Sequence, residues 1–222
     1  MNIISNQNKT CAIIPFYNEE KTIAEIVTRT LKFVDTVIVI NDGSTDKSKN
    51  NVPKDSDVIY LENEINKGKG AGLNKGFEAS IAGGFEYAIT IDSDLQHVPE
   101  KIPEIVAALD NYDIVIGNRL NDISDMPVQR IISNKLSLKL LSIKTGQKII
   151  DSQCGFRGFR TKILKDILPH YPGYEAESEI IINAARKNYK IGFVPIPTVY
   201  SDEKSKIKPL QIIAAFIKTL FV

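Results

Sequence analysis

Short apolar runs rich in β-branched residues alternate with amphipathic segments along the first half of this chain. The apolar runs predict five strands, over residues 10–14, 36–40, 58–61, 87–91 and 113–116. The segments between them predict helices over residues 19–33, 72–81 and 99–109. Strands and helices in this alternation are typical of a mostly parallel sheet with helices on both faces, so we predict an α/β fold.

The second half of the chain is less regular, and it carries no repeat or linker. Its pattern predicts helices over residues 128–143 and 177–187, and short strands over 155–159 and 191–196. Two prolines close the last strand, which favours an edge position for it. We therefore expect a single domain over residues 1–222, with a C-terminal amphipathic helix over 207–222.

Composition and charge exclude several classes of protein. Hydrophobic residues make up 43% and charged residues 25% of the 222 residues, as in globular chains rather than disordered ones. The formal net charge of +1 gives no electrostatic case for binding nucleic acid. Two cysteines are too few for a disulfide scaffold or a four-cysteine zinc site. The N-terminus does not have the pattern of a secretory signal, and no apolar run reaches membrane-spanning length, so we expect a cytoplasmic protein.

The predicted C-terminal helix is basic and amphipathic. Its apolar stripe consists of Leu210, Ile213, Ala214, Ile217 and Phe221. A helix of this kind can lie on an anionic membrane surface, and it can equally pack on its own core or on a partner. Peripheral contact with the inner face of a membrane is therefore one of two open interpretations.

Polar residues cluster where the predicted strands end, which is where ligands bind in open α/β sheets. The clusters follow the first, second, fourth and fifth strands, at residues 15–20, 42–44, 92–97 and 117–119. Each cluster alone is compatible with ordinary turn chemistry, since Asn, Asp, Gly and Ser favour turns. Four of them at the same edge of one sheet indicate a binding site.

Asp92 and Asp94 give the sharpest chemical signal in the sequence. Two residues apart in an extended chain, their side chains would leave the same face about 6–7 Å apart. Neighbouring carboxylates repel each other unless a cation intervenes, and their oxygens suit Mg²⁺ or Mn²⁺ bound together with substrate phosphates. Gln96 offers a further oxygen. The pattern predicts a divalent-cation site, with a solvated turn as the alternative.

Basic side chains supply candidate contacts for an anionic substrate. Residues 67–72, Lys-Gly-Lys-Gly-Ala-Gly, match no standard phosphate-loop pattern and predict a flexible loop from which Lys69 can reach a pyrophosphate. Arg119, Arg130 and Arg157 are candidates because the guanidinium group matches the geometry of phosphate.

Taken together and in order, these motifs resemble the family 2 glycosyltransferases with the GT-A fold. The resemblance extends from Cys11 to about Lys208. The segments that carry it are residues 15–19, 41–44, 92–100, 117–119, 130–134 and 151–157. The last three segments look like the branch that glycosylates polyprenyl or dolichyl phosphate.

The resemblance implies a role for each matching residue. The residues that would hold the nucleotide-diphosphate sugar are Pro15, Tyr17, Glu19, Asp42, Lys69 and Asp92. Those that would surround a Mg²⁺ or Mn²⁺ ion beside the diphosphate are Asp92, Asp94 and Gln96, with Asp94 counted as catalytic. Those that would meet the acceptor phosphate are Arg119, Arg130 and Lys206. Glu177 lies where relatives often carry an acceptor-site carboxylate.

Residues 200–206 depart from the pattern of the lipid-phosphate branch. Ser205 and Lys206 match the loop of that branch, but Glu203 stands where relatives carry glycine, and the preceding arginine is absent. The departure weakens the expectation that this loop holds both the donor diphosphate and the acceptor.

The chemistry expected from the resemblance is inverting transfer of a hexose. An acceptor oxygen attacks the anomeric carbon, and the divalent ion at Asp92 and Asp94 stabilises the departing nucleoside diphosphate, with Lys69 or Lys206 assisting. A polyprenyl or dolichyl phosphate is the expected acceptor, with a saccharide hydroxyl as the alternative. A phosphohydrolase that uses an aspartate nucleophile and a non-catalytic nucleotide-sugar-binding partner are the other hypotheses.

The acceptor determines whether the reaction needs a base. Glu175, Glu177 and Glu179 alternate at a predicted helix start, where they stabilise the helix or supply a general base. A phosphate monoester is already mostly ionised at neutral pH, whereas a sugar hydroxyl must lose its proton. We expect Glu177→Gln to cost little transfer rate with a lipid-phosphate acceptor. Measured rates that fall by several orders of magnitude would indicate a hydroxyl acceptor instead.

Overall fold

The computed structural model describes residues 9–119 and 128–197, without the side chains of residues 128–136. Its centre is a seven-stranded sheet in the order β3-β2-β1-β4-β6-β5-β7. The strands are β1 (Thr10–Phe16), β2 (Thr36–Asp42), β3 (Val58–Asn63), β4 (Tyr87–Thr90), β5 (Ile114–Asn118), β6 (Arg157–Arg160) and β7 (Ile191–Pro195). In this sheet β6 runs antiparallel to both of its neighbours, and the other pairings are parallel.

Helices connect the strands over most of the described chain. They are α1 (Ile23–Thr30), α2 (Ser48–Asn51), α3 (Lys69–Ala82), α4 (Ile102–Ala108), α5 (Val128–Thr145), α6 (Leu164–Ile167) and α7 (Glu175–Arg186), with single 3₁₀ turns at Pro99–Lys101 and Thr161–Ile163. Among the described residues, no helix is both long enough and apolar enough to cross a membrane. The predicted helix over 207–222 lies outside the described residues.

Helices cover both faces of the sheet. On one face, α3 packs so closely that a Cβ on Gly76 would lie 2.3 Å from Cγ2 of Ile13. On the other face, a Cβ on Gly158 would lie 2.5 Å from Cγ2 of Ile105 in α4. The α/β class with a mostly parallel sheet is therefore confirmed. The edge position predicted for the last strand is also correct, because β7 pairs with β5 at one end of the sheet.

The first strand is longer than predicted, because Pro15 lies within β1 instead of ending it. Ile13 directs its carbonyl toward β4, accepting a hydrogen bond of 3.1 Å from the backbone N–H of Ile91. Pro15, two residues on, faces the same side, where β4 has already ended at Thr90. The missing N–H of proline therefore costs the sheet no hydrogen bond.

The first helix begins later than the predicted position at Glu19. It starts at Ile23, and Asn18 does not cap it. Asn18 has a positive φ of 56° and accepts a hydrogen bond of 2.8 Å from the backbone N–H of Thr45. The residues between β1 and α1 therefore bind the turn that follows β2 instead of extending the helix. Such partners are distant in sequence and leave no periodic signal.

The close contact between α3 and β1 generates a stability prediction. Gly76→Ala places a methyl group against the fully buried Ile13, and overpacking of this kind costs about 1–3 kcal/mol. The gain in helix propensity, about 1 kcal/mol, offsets only part of that cost. We expect a net loss in the free energy of unfolding, measured by denaturant titration.

The control for this substitution is Glu78→Ala, which changes an exposed position of the same helix. It should shift the free energy of unfolding by less than about 0.5 kcal/mol. If Gly76→Ala is as stable as the unchanged protein, α3 does not pack against β1 at this distance.

Candidate functional site

The candidate site lies where the carboxyl ends of β1 and β4 meet. The chain passes from β1 to β2 in one direction across the sheet, and β4 lies on the other side of β1. A reversal of this kind leaves a crevice between the two strands, and ligands bind there in open α/β sheets. Lys69 of α3, Asp92 and Asp94 after β4, and Glu177 of α7 come together at this edge.

Lys69 bridges two carboxylates that come from different elements. Its Nζ lies 2.6 Å from Oδ1 of Asp92 and 2.7 Å from Oε1 of Glu177. Burial lowers the pKa of Lys69, but the two carboxylates outweigh this effect, so the pKa is raised above its ordinary value. Lys69 is therefore a fixed positive charge at the first turn of α3, and not part of the flexible loop expected from the sequence.

Asp92 is held from three directions. Lys69 contacts Oδ1, and Nε2 of the buried His97 lies 3.3 Å from Oδ2. Gly155 closes the third side, because a Cβ there would lie 2.3 Å from Oδ2. Burial raises the pKa of Asp92, but the charge of Lys69 and the contact with His97 hold it well below its ordinary value. Asp92 is therefore an ionised carboxylate with a fixed orientation.

Asp94 lies in a turn and not in the extended chain assumed from the sequence. β4 ends at Thr90, and Leu95 has a positive φ of 62°. Oδ1 of Asp94 accepts a hydrogen bond of 3.0 Å from the backbone N–H of Gln96. Burial and the nearby charge of Asp92 raise the pKa of Asp94. The free protein thus keeps two neighbouring carboxylates under mutual repulsion.

These residues fit a divalent cation that is shared with a substrate. A cation beside Asp94 would relieve the repulsion from Asp92, and Gln96, whose backbone N–H donates to Asp94, carries a side-chain oxygen of the kind that these ions bind. Within the described residues, no group of three His, Cys, Asp or Glu side chains could hold a metal by itself. Mg²⁺ and Mn²⁺ bind in such places through one or two carboxylates plus substrate phosphates. Phosphate oxygens would therefore have to complete the site.

The glycine-rich loop before α3 does not form a phosphate cradle. The backbone N–H groups of Lys67 and Gly68 donate to the carboxylate of Asp42 at 3.0 and 2.8 Å, and Asn63 also donates to that carboxylate at 2.8 Å. The N–H groups of Gly70 and Ala71 donate to the carbonyl of Pro172. Because these donors already have protein acceptors, a phosphate here would depend on side chains such as Lys69.

The residues predicted to hold the base and ribose line the ends of β1 and β2. Pro15 is half-buried, Tyr17 is exposed, and Glu19 accepts a hydrogen bond of 3.1 Å from the hydroxyl of Thr22. Asp42 is buried, and its two oxygens hold the loop that precedes α3. Their roles toward a nucleotide stay predictions.

The predicted arginine contacts differ in what they do. Arg119 forms an ion pair with the buried Asp151, with Nε and Oδ2 3.1 Å apart, and its side chain remains partly exposed. Arg157 is buried, and its guanidinium group donates to the carbonyls of Cys154, Ser152 and Glu177 at 2.7, 2.9 and 2.7 Å. Arg157 is therefore a structural residue here and not an anion contact.

Two predicted acceptor contacts lie beyond the described side chains. Arg130 belongs to α5, but its side chain is outside the described part, and Lys206 is outside it entirely. Sequence reasoning also missed Asp151 and Gly155 as site residues. Both lie in residues 151–157, one of the segments that carry the family resemblance. Nothing in the sequence indicates that Asp151 contacts Arg119 or that Gly155 contacts Asp92.

Comparison with known proteins gives one family and several relatives. The sequence profile of the family described as Glycosyl transferase family 2 matches residues 11–168. The chain is 31% identical to the UDP-N-acetylglucosamine–dolichyl-phosphate N-acetylglucosaminyltransferase of Methanococcus voltae, over 86% of this chain and 85% of that protein. It is 35% identical to the undecaprenyl-phosphate 4-deoxy-4-formamido-L-arabinose transferase of Shewanella sediminis, over 70% of this chain and 49% of that protein.

Solved structures share the fold at lower identity. The glucosyl-3-phosphoglycerate synthase of Mycobacterium tuberculosis in complex with UDP superimposes with a TM-score of 0.74 at 20% identity. The match covers 97% of this chain and 81% of that one. The same synthase has been solved with Mg²⁺ and UDP, with a TM-score of 0.72.

The repulsion between Asp92 and Asp94 generates a prediction about stability. Because folding raises the pKa of Asp94, the folded protein binds this proton more tightly than the unfolded chain does. The charged carboxylate therefore opposes folding at neutral pH, and this penalty disappears as the pH falls through the folded-state pKa. Asp94→Asn should raise the Tm at neutral pH by about 2 °C, measured by thermal unfolding without divalent cations.

Added Mn²⁺ separates this effect from a general change in stability. Mn²⁺ added together with UDP, whose phosphate oxygens complete the site, should raise the Tm of the unchanged protein and raise that of Asp94→Asn by less. The control is Asp110→Asn, an exposed carboxylate at the other end of the sheet, which should respond to Mn²⁺ as the unchanged protein does. A lower Tm for Asp94→Asn would contradict the repulsion.

Proposed function

This chain belongs to the family 2 glycosyltransferases, because the family profile matches residues 11–168, and we propose that it transfers a hexose with inversion from a nucleotide-diphosphate sugar to a polyprenyl or dolichyl phosphate. The fold is the GT-A fold of the neighbouring transferase structures. The observation that carries the proposal is the cluster of Lys69, Asp92, Asp94 and Glu177 at the crevice between β1 and β4.

The charges around the crevice support dependence on a divalent cation. Among the side chains that the structure describes there, the cations are Lys69, Arg119 and Arg157, and the carboxylates are Asp92, Asp94, Asp151 and Glu177. Within this described part, three positive charges against four negative ones leave no surplus to attract a diphosphate. A bound Mg²⁺ or Mn²⁺ ion would supply the missing positive charge and stabilise the diphosphate as it leaves.

Lys69 is the side chain best placed to act on the donor diphosphate. Its ammonium group is held at the crevice by Asp92 and Glu177, so it does not have to be ordered during the reaction. The backbone donors nearby are already used by Asp42 and Pro172. Lys69 would therefore donate hydrogen bonds to diphosphate oxygens while Asp94 and Gln96 face the cation.

A phosphate acceptor suits the environment of Glu177 better than a hydroxyl does. Glu177 is buried, and its Oε1 is engaged by Lys69 at 2.7 Å, so it is poorly placed to take a proton from an incoming hydroxyl. A phosphate monoester needs cations to orient it instead of a base, and the partly exposed Arg119 is such a cation. The relatives named for dolichyl-phosphate and undecaprenyl-phosphate transfer support the same acceptor class.

The environment of Asp92 argues against an aspartate nucleophile. Lys69 contacts one of its oxygens and His97 the other, and together they stabilise the negative charge of the carboxylate, which makes it a weaker nucleophile. Lipid phosphates reside in membranes, so the proposal places the protein in the cytoplasm, at the membrane surface. The proposal includes contact between the membrane surface and residues 207–222. These residues lie outside the described part of the chain.

The proposal predicts a glycolipid product. Labelled UDP- and GDP-sugars are offered with Mn²⁺ or Mg²⁺ to undecaprenyl phosphate, dolichyl phosphate or soluble saccharides. We expect label in the lipid phase, loss of the product with a chelator, and a fall of about 10²–10³-fold in kcat for Asp92→Asn. Label on saccharides alone would support the hydroxyl acceptor, and nucleotide binding without turnover would support a non-catalytic role. Either result would contradict lipid-phosphate transfer.

The structure changes the effect expected of Glu177→Gln. The substitution removes one of the two carboxylates that hold Lys69, so the donor site loses order even when no base is needed. We expect kcat/KM with a lipid-phosphate acceptor to fall about tenfold, the size of loss expected when a supporting residue is removed. Glu78→Gln, an exposed change on the helix that carries Lys69, is the control. A loss of several orders of magnitude would mean that Glu177 itself accepts a proton.

A further inference from the structure

Glu179 is a completely buried carboxylate that the proposed chemistry does not use. It lies in α7, two residues after Glu177. Its Oε2 accepts hydrogen bonds from the backbone N–H groups of His170 at 2.9 Å and Tyr171 at 3.0 Å. Its Oε1 lies 2.9 Å from Nδ1 of His170, whose side chain is 89% exposed. The well-shielded partners of Glu179 are therefore the two backbone amides.

The turn that Glu179 holds packs directly against the first residues of α3. The carbonyl of Pro172 accepts hydrogen bonds from the N–H groups of Gly70 at 2.6 Å and Ala71 at 3.3 Å. A Cβ on Gly68 would lie 2.6 Å from that same carbonyl oxygen. A Cβ on Gly70 would lie 2.3 Å from the carbonyl oxygen of Tyr171. The backbone of residues 171–172 is therefore in close contact with α3 on both sides of Lys69.

We propose that Glu179 is a positioning residue that sets the place of Lys69 through the turn at residues 170–172. Helix α7 then holds Lys69 twice, directly through Glu177 on its ammonium group and indirectly through Glu179, which holds the turn that accepts from the backbone of Gly70. The proposal rests on the proposed function in one respect, namely that Lys69 acts on the donor diphosphate.

The structural half of the proposal is tested without any enzyme assay. Glu179→Met keeps the length of the side chain and removes both carboxylate oxygens, so the amides of His170 and Tyr171 lose their acceptor. Hydrogen exchange is measured by mass spectrometry on peptides that cover residues 68–72. We expect the amides of Gly70 and Ala71 to exchange about tenfold faster, since their acceptor turn is loosened. Unchanged exchange at these amides overturns the proposal.

The control variant is His170→Ala. It removes the exposed imidazole and keeps both backbone hydrogen bonds to Glu179. Because the imidazole is 89% exposed, water can take its place at Oε1 of Glu179, so exchange over residues 68–72 and transfer activity should stay close to those of the unchanged protein. If His170→Ala loosens residues 68–72 as much as Glu179→Met does, the imidazole and not the pair of backbone hydrogen bonds to Glu179 positions α3, and the proposal is wrong.

The functional half is tested by a double-mutant cycle with Lys69. Alone, Glu179→Met should lower kcat/KM about a hundredfold, the loss expected when a reacting group is displaced by about 1 Å. In a Lys69→Met background, Glu179→Met should cause no further loss in kcat/KM, because the group that Glu179 positions is gone. If the carboxylate of Glu179 only stabilises the fold, its removal should lower kcat/KM by the same factor in both backgrounds. That result overturns the proposal.

A second variant covers the case in which Glu179→Met fails to fold. Gly70→Ala disturbs the same contact from the side of α3, through its approach to Tyr171. It should reproduce both the faster exchange and the dependence on Lys69, and failure to do so overturns the proposal. The proposed function fails separately, if the unchanged protein transfers no sugar, whereas the exchange experiment concerns Glu179 alone.

Discussion

The salt bridge of Lys69 with Asp92 and Glu177 holds the site together, because it joins three elements that the sheet alone does not align. Lys69 comes from α3, Asp92 from the turn after β4, and Glu177 from α7. A lone buried ammonium group would be strongly unfavourable, and so would either carboxylate without it. The three side chains therefore stabilise each other only when all three elements are in place. Formation of the site and completion of the fold depend on the same contacts.

The succession of strands and helices along the chain and the edge that carries the site could be predicted from local patterns. The β-branched runs mark the strands, and Asp92 and Asp94 mark the carboxyl end of β4. Asn18, Arg157 and Glu179 could not be interpreted in this way. Each is fixed by partners outside its own helix, strand or turn, and a polar side chain shows no periodicity that separates a buried structural role from an exposed functional one. The same limit hid the antiparallel direction of β6, which is set by pairing and not by composition.

Arg157, a candidate anion contact in the sequence, binds backbone carbonyls instead. Its guanidinium group satisfies three carbonyls in segments that have no sheet partner, and it lies 3.9 Å from the carboxylate of Glu177. The planar group has five N–H donors in a fixed arrangement, so a single side chain can join the segment before β6 to α7. Replacing it by lysine would keep the charge but lose this geometry.

The reversed direction of β6 has a consequence for how such a protein diversifies. β5 ends and β6 begins at the same edge of the sheet, and the ion pair between Arg119 and Asp151 ties the two ends of the intervening stretch together. The described part of that stretch, which contains α5, is anchored by the buried Leu141 and by Gln147, whose side chain accepts a hydrogen bond from the backbone of Ile191. Substitutions that keep these anchors need not shift the register of any strand. The connection between β5 and β6 can therefore vary during evolution while the sheet stays unchanged.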